Sequence, residues 1–135
     1  MTYNAKELIP HRDEMLFVDK IISLEGGVRA TGEWRPADNP WLAANPGSAM
    51  VPTLPLEALA QLGACTVFAL DRYRGRTPLL AGFKDVQFPN QFCIDAVVDL
   101  SVEIIMLGSR FGKAHGSATI ETRTVCQGEI QFVMM

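Results

Sequence analysis

Asn45-Pro46-Gly47-Ser48-Ala49-Met50-Val51-Pro52-Thr53-Leu54-Pro55-Leu56-Glu57-Ala58-Leu59-Ala60-Gln61 runs a proline- and glycine-rich loop straight into an apolar stretch that holds a single carboxylate. From Leu56 to Leu70 nearly every side chain is apolar. Leu56, Leu59, Ala60, Gly63, Val67 and Leu70 fall on one stripe of a helix, and Leu62, Cys65 and Ala69 cover the opposite side. A helix that is apolar all round is a buried one. The pattern therefore predicts a central helix from Thr53 or Leu54 to Leu70, with Pro55 tolerated in its first turn. Glu57 and Gln61 are one turn apart and share a face. Burying a carboxylate is costly unless it is hydrogen-bonded or paired. Glu57 is thus either satisfied structurally, helped by the positive end of the helix dipole, or used in chemistry.

Working outward, Leu16 to Leu24 is rich in aromatic and β-branched residues, and Gly26-Gly27 marks a turn before Val28 to Trp34, which reads as a two-strand hairpin. Prolines 36, 40 and 46 make an irregular crossing to the helix, and the Arg72 to Pro78 stretch ends it. Only strand signals follow. Leu79 to Phe88 is the first. In the next, Val98, Leu100, Val102, Ile104 and Met106 alternate with Asp99, Ser101 and Glu103, leaving one face buried and one wet. Leu107 to Gly112 is a hairpin turn, and Lys113 to Thr122 and Thr124 to Val133 close the chain. The expected fold class is α+β: one antiparallel sheet of five or six strands wrapped around a long central apolar helix, with Gly63 and Ala64 admitting the sheet closely.

Composition bounds the rest. The chain has 135 residues, 48% hydrophobic and 20% charged, and reads as a single domain over 1–135 that needs no metal or disulfide. Cys65, Cys93 and Cys126 lack CxxC spacing, sit in apolar stretches and fit buried reduced thiols. A net charge of −3 argues against nucleic acid. No apolar run approaches the roughly 20 residues of a membrane span, and residues 1–10 lack a signal-like core, so a cytoplasmic protein without membrane association is expected. Arg72, Arg74 and Arg76 form a basic turn, either solvated or a dock for an anionic carrier or nucleotide.

Ile9-Pro10-His11-Arg12, Met15-Leu16-Phe17-Val18-Asp19, Pro46-Gly47, Val51-Pro52, Glu57-Ala58-Leu59-Ala60-Gln61 and Ala81 to Phe88 together resemble the FabZ-type 3-hydroxyacyl-(acyl-carrier-protein) dehydratases of the hotdog fold. The likeness runs the length of the chain, and the loop around 38–47 also resembles the dehydratase-like proteins of aryl polyene clusters. The resemblance implies a homo-oligomer, dimeric or dimer-based. An acyl thioester on carrier protein or coenzyme A would lie in a tunnel between subunits, with no cofactor and no metal. It implies Glu57 as the catalytic carboxylate handling the 3-hydroxyl, with Gly47, Pro52, Thr53 and Gln61 in contact with substrate; backbone N–H groups at the helix start polarise the thioester carbonyl.

The family's general base is a loop histidine in His-Phe-Pro-Gly, and here the sequence reads Ala44-Asn45-Pro46-Gly47. The interval from Pro52 to Glu57 is one residue shorter than the family's, but a slip would only exchange Ala44 for Ala43. Neither takes a proton. Of the two histidines, His11 reads as a hydrogen-bonded structural anchor in its Pro-His-Arg segment, and His115 shares strand parity with Ser117, Thr119 and Glu121, which faces it to solvent. The sequence therefore leaves three readings: a dehydratase whose base is either an unrecognised group or supplied by a second hotdog subunit, a hotdog acyl thioesterase, or a non-catalytic partner subunit of a dehydratase.

Overall fold

The computed structural model describes residues 3–49 and 51–135; Met1, Thr2 and Met50, the last within the loop read as leading into the central helix, lie outside it. Helices α1 (Ala5–Leu8), α2 (Pro40–Ala44), α3 (Pro46–Ala49) and α4 (Thr53–Phe68) accompany strands β1 (Lys20–Glu25), β2 (Arg29–Trp34), β3 (Pro78–Gln87), β4 (Val98–Leu107), β5 (Phe111–Ile120) and β6 (Arg123–Met134). The strands form one antiparallel sheet in the order β1-β2-β4-β5-β6-β3. Its concave face closes on α4, which packs chiefly against β4, β5 and β2. This is the hotdog arrangement expected from the sequence.

The core is what the helix and strand periodicities demand. Leu56, Ala58, Leu59, Leu62, Cys65, Val67 and Phe68 of α4 meet Ala30, Trp34, Val98, Leu100, Val102, Ala114, Ala118 and Ile130 from the sheet, all buried. Thr66, the polar residue at the far end of the helix, donates its hydroxyl to the carbonyl of Glu25 at 2.9 Å, while Gly27 N–H reaches the Thr66 carbonyl at 2.8 Å. These two bonds tie the β1–β2 turn to the helix. Gly27 is needed there twice over, by its φ of +74° and because a Cβ would come within 2.7 Å of Leu70.

Four details depart from the sequence reading. The helix stops at Phe68 rather than Leu70, because Ala69 caps it and Leu70 turns to extended backbone. β1 begins at Lys20, and Leu16 to Val18 lead into it outside the sheet although Phe17 and Val18 are buried, while the Asp19 N–H already donates to the Glu33 carbonyl of β2 at 2.9 Å. The alternation in β4 fails after Ile104: the pairing register slips between Ile104 and Met106, and the extra residue of this bulge turns Met106 outward. Close approach of sheet and helix is set at Gly116, where a Cβ would lie 3.1 Å from Leu59, while a Cβ on Gly63 would meet nothing within 4 Å. The small residue that matters is on the strand.

Candidate active site

The helix is not enclosed on every side. Glu57, Ala60 and Ala64, spaced three and four residues apart, are only partly buried and form one face of α4. That face borders a cavity of about 60 Å³, lined also by Gln61, His11, Pro78, Leu79, Leu80, Ile130 and Phe132. The polar atoms of the cavity come from Glu57, Gln61 and His11 among mostly apolar walls. Glu57 is the fifth residue of the helix, past the first turn, so the dipole reaches it weakly. What holds it is a side chain: Gln61 Nε2 donates to Glu57 Oε1 at 3.1 Å.

Gln61 does more than steady the carboxylate. Only 1% exposed, it accepts the Phe17 N–H on Oε1 at 2.7 Å and donates Nε2 to the Met15 carbonyl at 2.8 Å. One amide therefore clamps the segment before β1 onto the helix and orients Glu57. A substrate-contact role was expected for Gln61; its donor and acceptor are both engaged by the protein itself.

The same clamp brings His11 to the cavity. Its Nε2 lies 3.7 Å from Glu57 Oε1, with side chains 29% and 33% exposed respectively. Its Nδ1 is enclosed and has no hydrogen-bond partner among the described residues. The anchoring expected of His11 is done by its neighbour: the Arg12 guanidinium donates to the carbonyls of Ile9, His11 and Lys6 at 2.7, 2.7 and 2.8 Å. The proximity of His11 and Glu57, 46 residues apart, carries no spacing signal in the sequence; it arises because α1 packs on α4 and Gln61 draws the following turn onto the same helix.

Gly47, Pro52 and Thr53 are exposed on the approach to α4 and are not among the residues lining this cavity. Ala44 is exposed at the end of α2, and Asn45 turns its Nδ2 back to the Trp41 carbonyl at 2.9 Å. The basic turn is committed to local structure: Arg74 pairs with Asp71 at 3.3 Å, Arg72 and Arg76 lie over the Tyr73 ring at 4.9 and 5.9 Å, and Arg76 donates to the Ser109 carbonyl. A wider cleft of about 670 Å³ elsewhere, bordered by Lys6, Asp13, Asp19, Lys20 and Asp38, mixes charges of both signs without a histidine or a thiol. Among the described residues no group of His, Cys, Asp or Glu is arranged to hold a metal ion, and no helix is long and apolar enough to cross a membrane.

Comparison with known proteins gives the family and the fold. A dehydratase FabZ of Moorella thermoacetica is 36% identical over 138 residues, covering 99% of this chain and 96% of its own, and that of Clostridium acetobutylicum is 34% identical over 132 residues, covering 96% and 94%. This chain belongs to the FabZ-type 3-hydroxyacyl-(acyl-carrier-protein) dehydratase family. No protein-family model matches it. Among solved structures, the dehydratase heterocomplex ApeI:P of Xenorhabdus doucetiae superposes with a TM-score of 0.84 at 13% identity, covering 100% of this chain and 93% of that one. A sigma28-regulated virulence protein of Campylobacter jejuni gives 0.72 at 13% identity, covering 98% and 96%. At these identities the superpositions speak for the hotdog fold.

Proposed function

We infer that this FabZ-family protein acts on 3-hydroxyacyl thioesters as a dehydratase, with Glu57 protonating the 3-hydroxyl as it leaves. The observation that carries this reading is the Glu57 carboxylate, fixed by Gln61 and facing a mostly apolar cavity. A carboxyl group at such a boundary meets substrate in a partly dry setting, where a proton donor acts with least competition from water. Thr53 stands at the start of α4, where the first backbone N–H groups have no partner within the helix. The Leu54 N–H is bonded to the Val51 carbonyl at 3.1 Å and Pro55 has none, so it is the positive end of the helix, rather than a row of free donors, that would face a thioester carbonyl, with Pro52, Thr53 and Gly47 shaping the approach. Carrier protein and coenzyme A thioesters both present that carbonyl.

The protein works as an oligomer in this reading. β3 is an edge strand of the sheet, and it exposes Leu79, Leu80 and Phe83. An open, apolar edge is a template for another strand. Leu79 and Leu80 also line the cavity, so a subunit seated on β3 would roof the site and lengthen it into a tunnel. The partner is a second copy or another hotdog subunit, the assembly lying in the reducing cytoplasm that three free cysteines suit.

The test is an assay of the purified chain with a short 3-hydroxyacyl thioester, following enoyl formation and free thiol together, alone and with any neighbouring hotdog protein. Water loss with the thioester intact is the expected result. Thiol release without enoyl product would reassign the protein to the thioesterases, and tight thioester binding with neither reaction would make it a partner subunit.

A further inference from the structure

We propose that His11 is the general base of this site, forming with Glu57 of the same chain the acid–base pair that the 43–47 loop does not provide. The inference rests on the dehydratase reading above and deepens it. A base needs a lone pair facing the substrate, a position near the acid, and freedom from other bonds. His11 meets all three among the described residues: it lines the cavity, its Nε2 is 3.7 Å from Glu57 Oε1, and its enclosed Nδ1 makes no hydrogen bond that a proton transfer would have to break. The separation exceeds the ~2.7–3.2 Å of a hydrogen bond, so the two groups do not neutralise one another by direct bonding. Gln61 holds both sides of the pair, through Met15 and Phe17 on one and Glu57 on the other. That leaves the spacing under the control of one buried side chain.

The chemistry balances within this pair. With a proton on Nδ1 the imidazole offers the Nε2 lone pair, and Glu57 begins as the acid. Nε2 takes the C2 proton, the C2–H electron pair becomes the C2=C3 bond, and C3–O breaks. The hydroxyl leaves with the Glu57 proton as water. The products are the 2-enoyl thioester and water, and nothing is oxidised or reduced. An imidazolium and a carboxylate remain side by side, and transfer of one proton between them, directly or through the released water, restores the starting state. Two groups so close serve only one face of the substrate, so proton and hydroxyl depart from the same side. The alternatives are poorer: Ala44 has no titratable group, Asn45 donates to Trp41, and His115 lies exposed on the outside of the sheet.

The experiment uses the purified full chain, 3-hydroxybutyryl-N-acetylcysteamine as probe, and the variants H11A, H11Q and E57Q, with unfolding curves for each. In H11A, kcat is expected to fall about 10²- to 10⁴-fold with KM changed only a few-fold, the contribution general to such a base. Added imidazole should restore part of the H11A rate and none of the E57Q rate, and deuterium exchange at C2 should vanish in H11A. If H11A does not fold, H11Q carries the same kcat measurement. A folded histidine variant within threefold of wild type, or one whose loss lies in KM and ignores imidazole, overturns the proposal. Wild type that binds the probe but turns over only when a His-bearing hotdog protein is added overturns it while leaving the dehydratase reading standing. Wild type that neither binds nor converts the probe in either setting removes both.

Discussion

His11 and His115 are the two histidines of the chain, and each stands beside carboxylates. His115 is paired in register with Glu103 on β4 and Glu129 on β6, which places both on the same outer face of the sheet as the imidazole. His11 faces one carboxylate at 3.7 Å inside an apolar cavity. In count, His115 is the richer site. In water, however, charges several ångströms apart interact by only about 1 kcal/mol and are screened further by salt, and nothing on the outer face excludes solvent or holds a substrate. The two histidines differ in setting rather than in having an acid beside them: His11 and Glu57, 29% and 33% exposed, border a mostly apolar cavity, whereas His115 stands on the open face of the sheet.

The sharpest way to break that contrast is at the acid. E57Q keeps shape and an acceptor, and it should fold like wild type while turnover of a 3-hydroxyacyl thioester drops by more than about a hundredfold. Full activity in a folded E57Q protein would return Glu57 to a purely structural role. H115A supplies the opposite arm: its rate should stay within about twofold of wild type, since surface changes remote from such features are usually within about 0.5 kcal/mol. A large loss in H115A would mean that the outer face takes part after all.

Gln61 tests what keeps the inner pair enclosed. Q61A strands the Phe17 N–H and the Met15 carbonyl and opens a hole beside the helix. Each buried group left without a partner costs about 1–3 kcal/mol, so urea denaturation should show a loss of about 2 kcal/mol or more, with a fall in kcat because Glu57 and the segment carrying His11 lose their common strut. A shift under about 0.5 kcal/mol would show that the clamp is dispensable.

The cysteines repeat the comparison in milder form. Burial pushes the Cys65 thiol up to about 12 and that of Cys126 up to about 11, whereas Cys93, expected to be buried with them, is exposed on the segment between β3 and β4. The thiolate is the reactive species, so at pH 8 an aromatic disulfide reagent should titrate one thiol in the folded protein and three after denaturation. Raising the pH toward 9 should leave Cys65 and Cys126 protected, because their ionisation lies further up the scale. Early reaction of Cys65 would mean that α4 is loosely held.

Local sequence was sufficient wherever the relevant physics is local. The run from Leu56 to Phe68 had to be a largely buried helix because Glu57 and Gln61 give it no more than a narrow polar stripe, and the alternation of Val98, Leu100 and Val102 had to face one side of a sheet because successive strand residues point opposite ways. His115 was placed outside by the same parity, with Ala114 and Ala118 inside. Glu57 could be singled out as a carboxylate in an apolar run. Other features depended on contacts between distant segments. The bulge after Ile104 is a property of strand pairing, and the crossing through prolines 36, 40 and 46 folds into the short helices α2 and α3. Above all, His11 reaches Glu57 because α1 packs on α4 and because Gln61, a residue on that helix, offers its amide to a backbone turn 44 and 46 positions away. A spacing pattern records which residues share one helix or strand; which two elements meet is decided by packing and by the need of buried N–H and C=O groups to find partners.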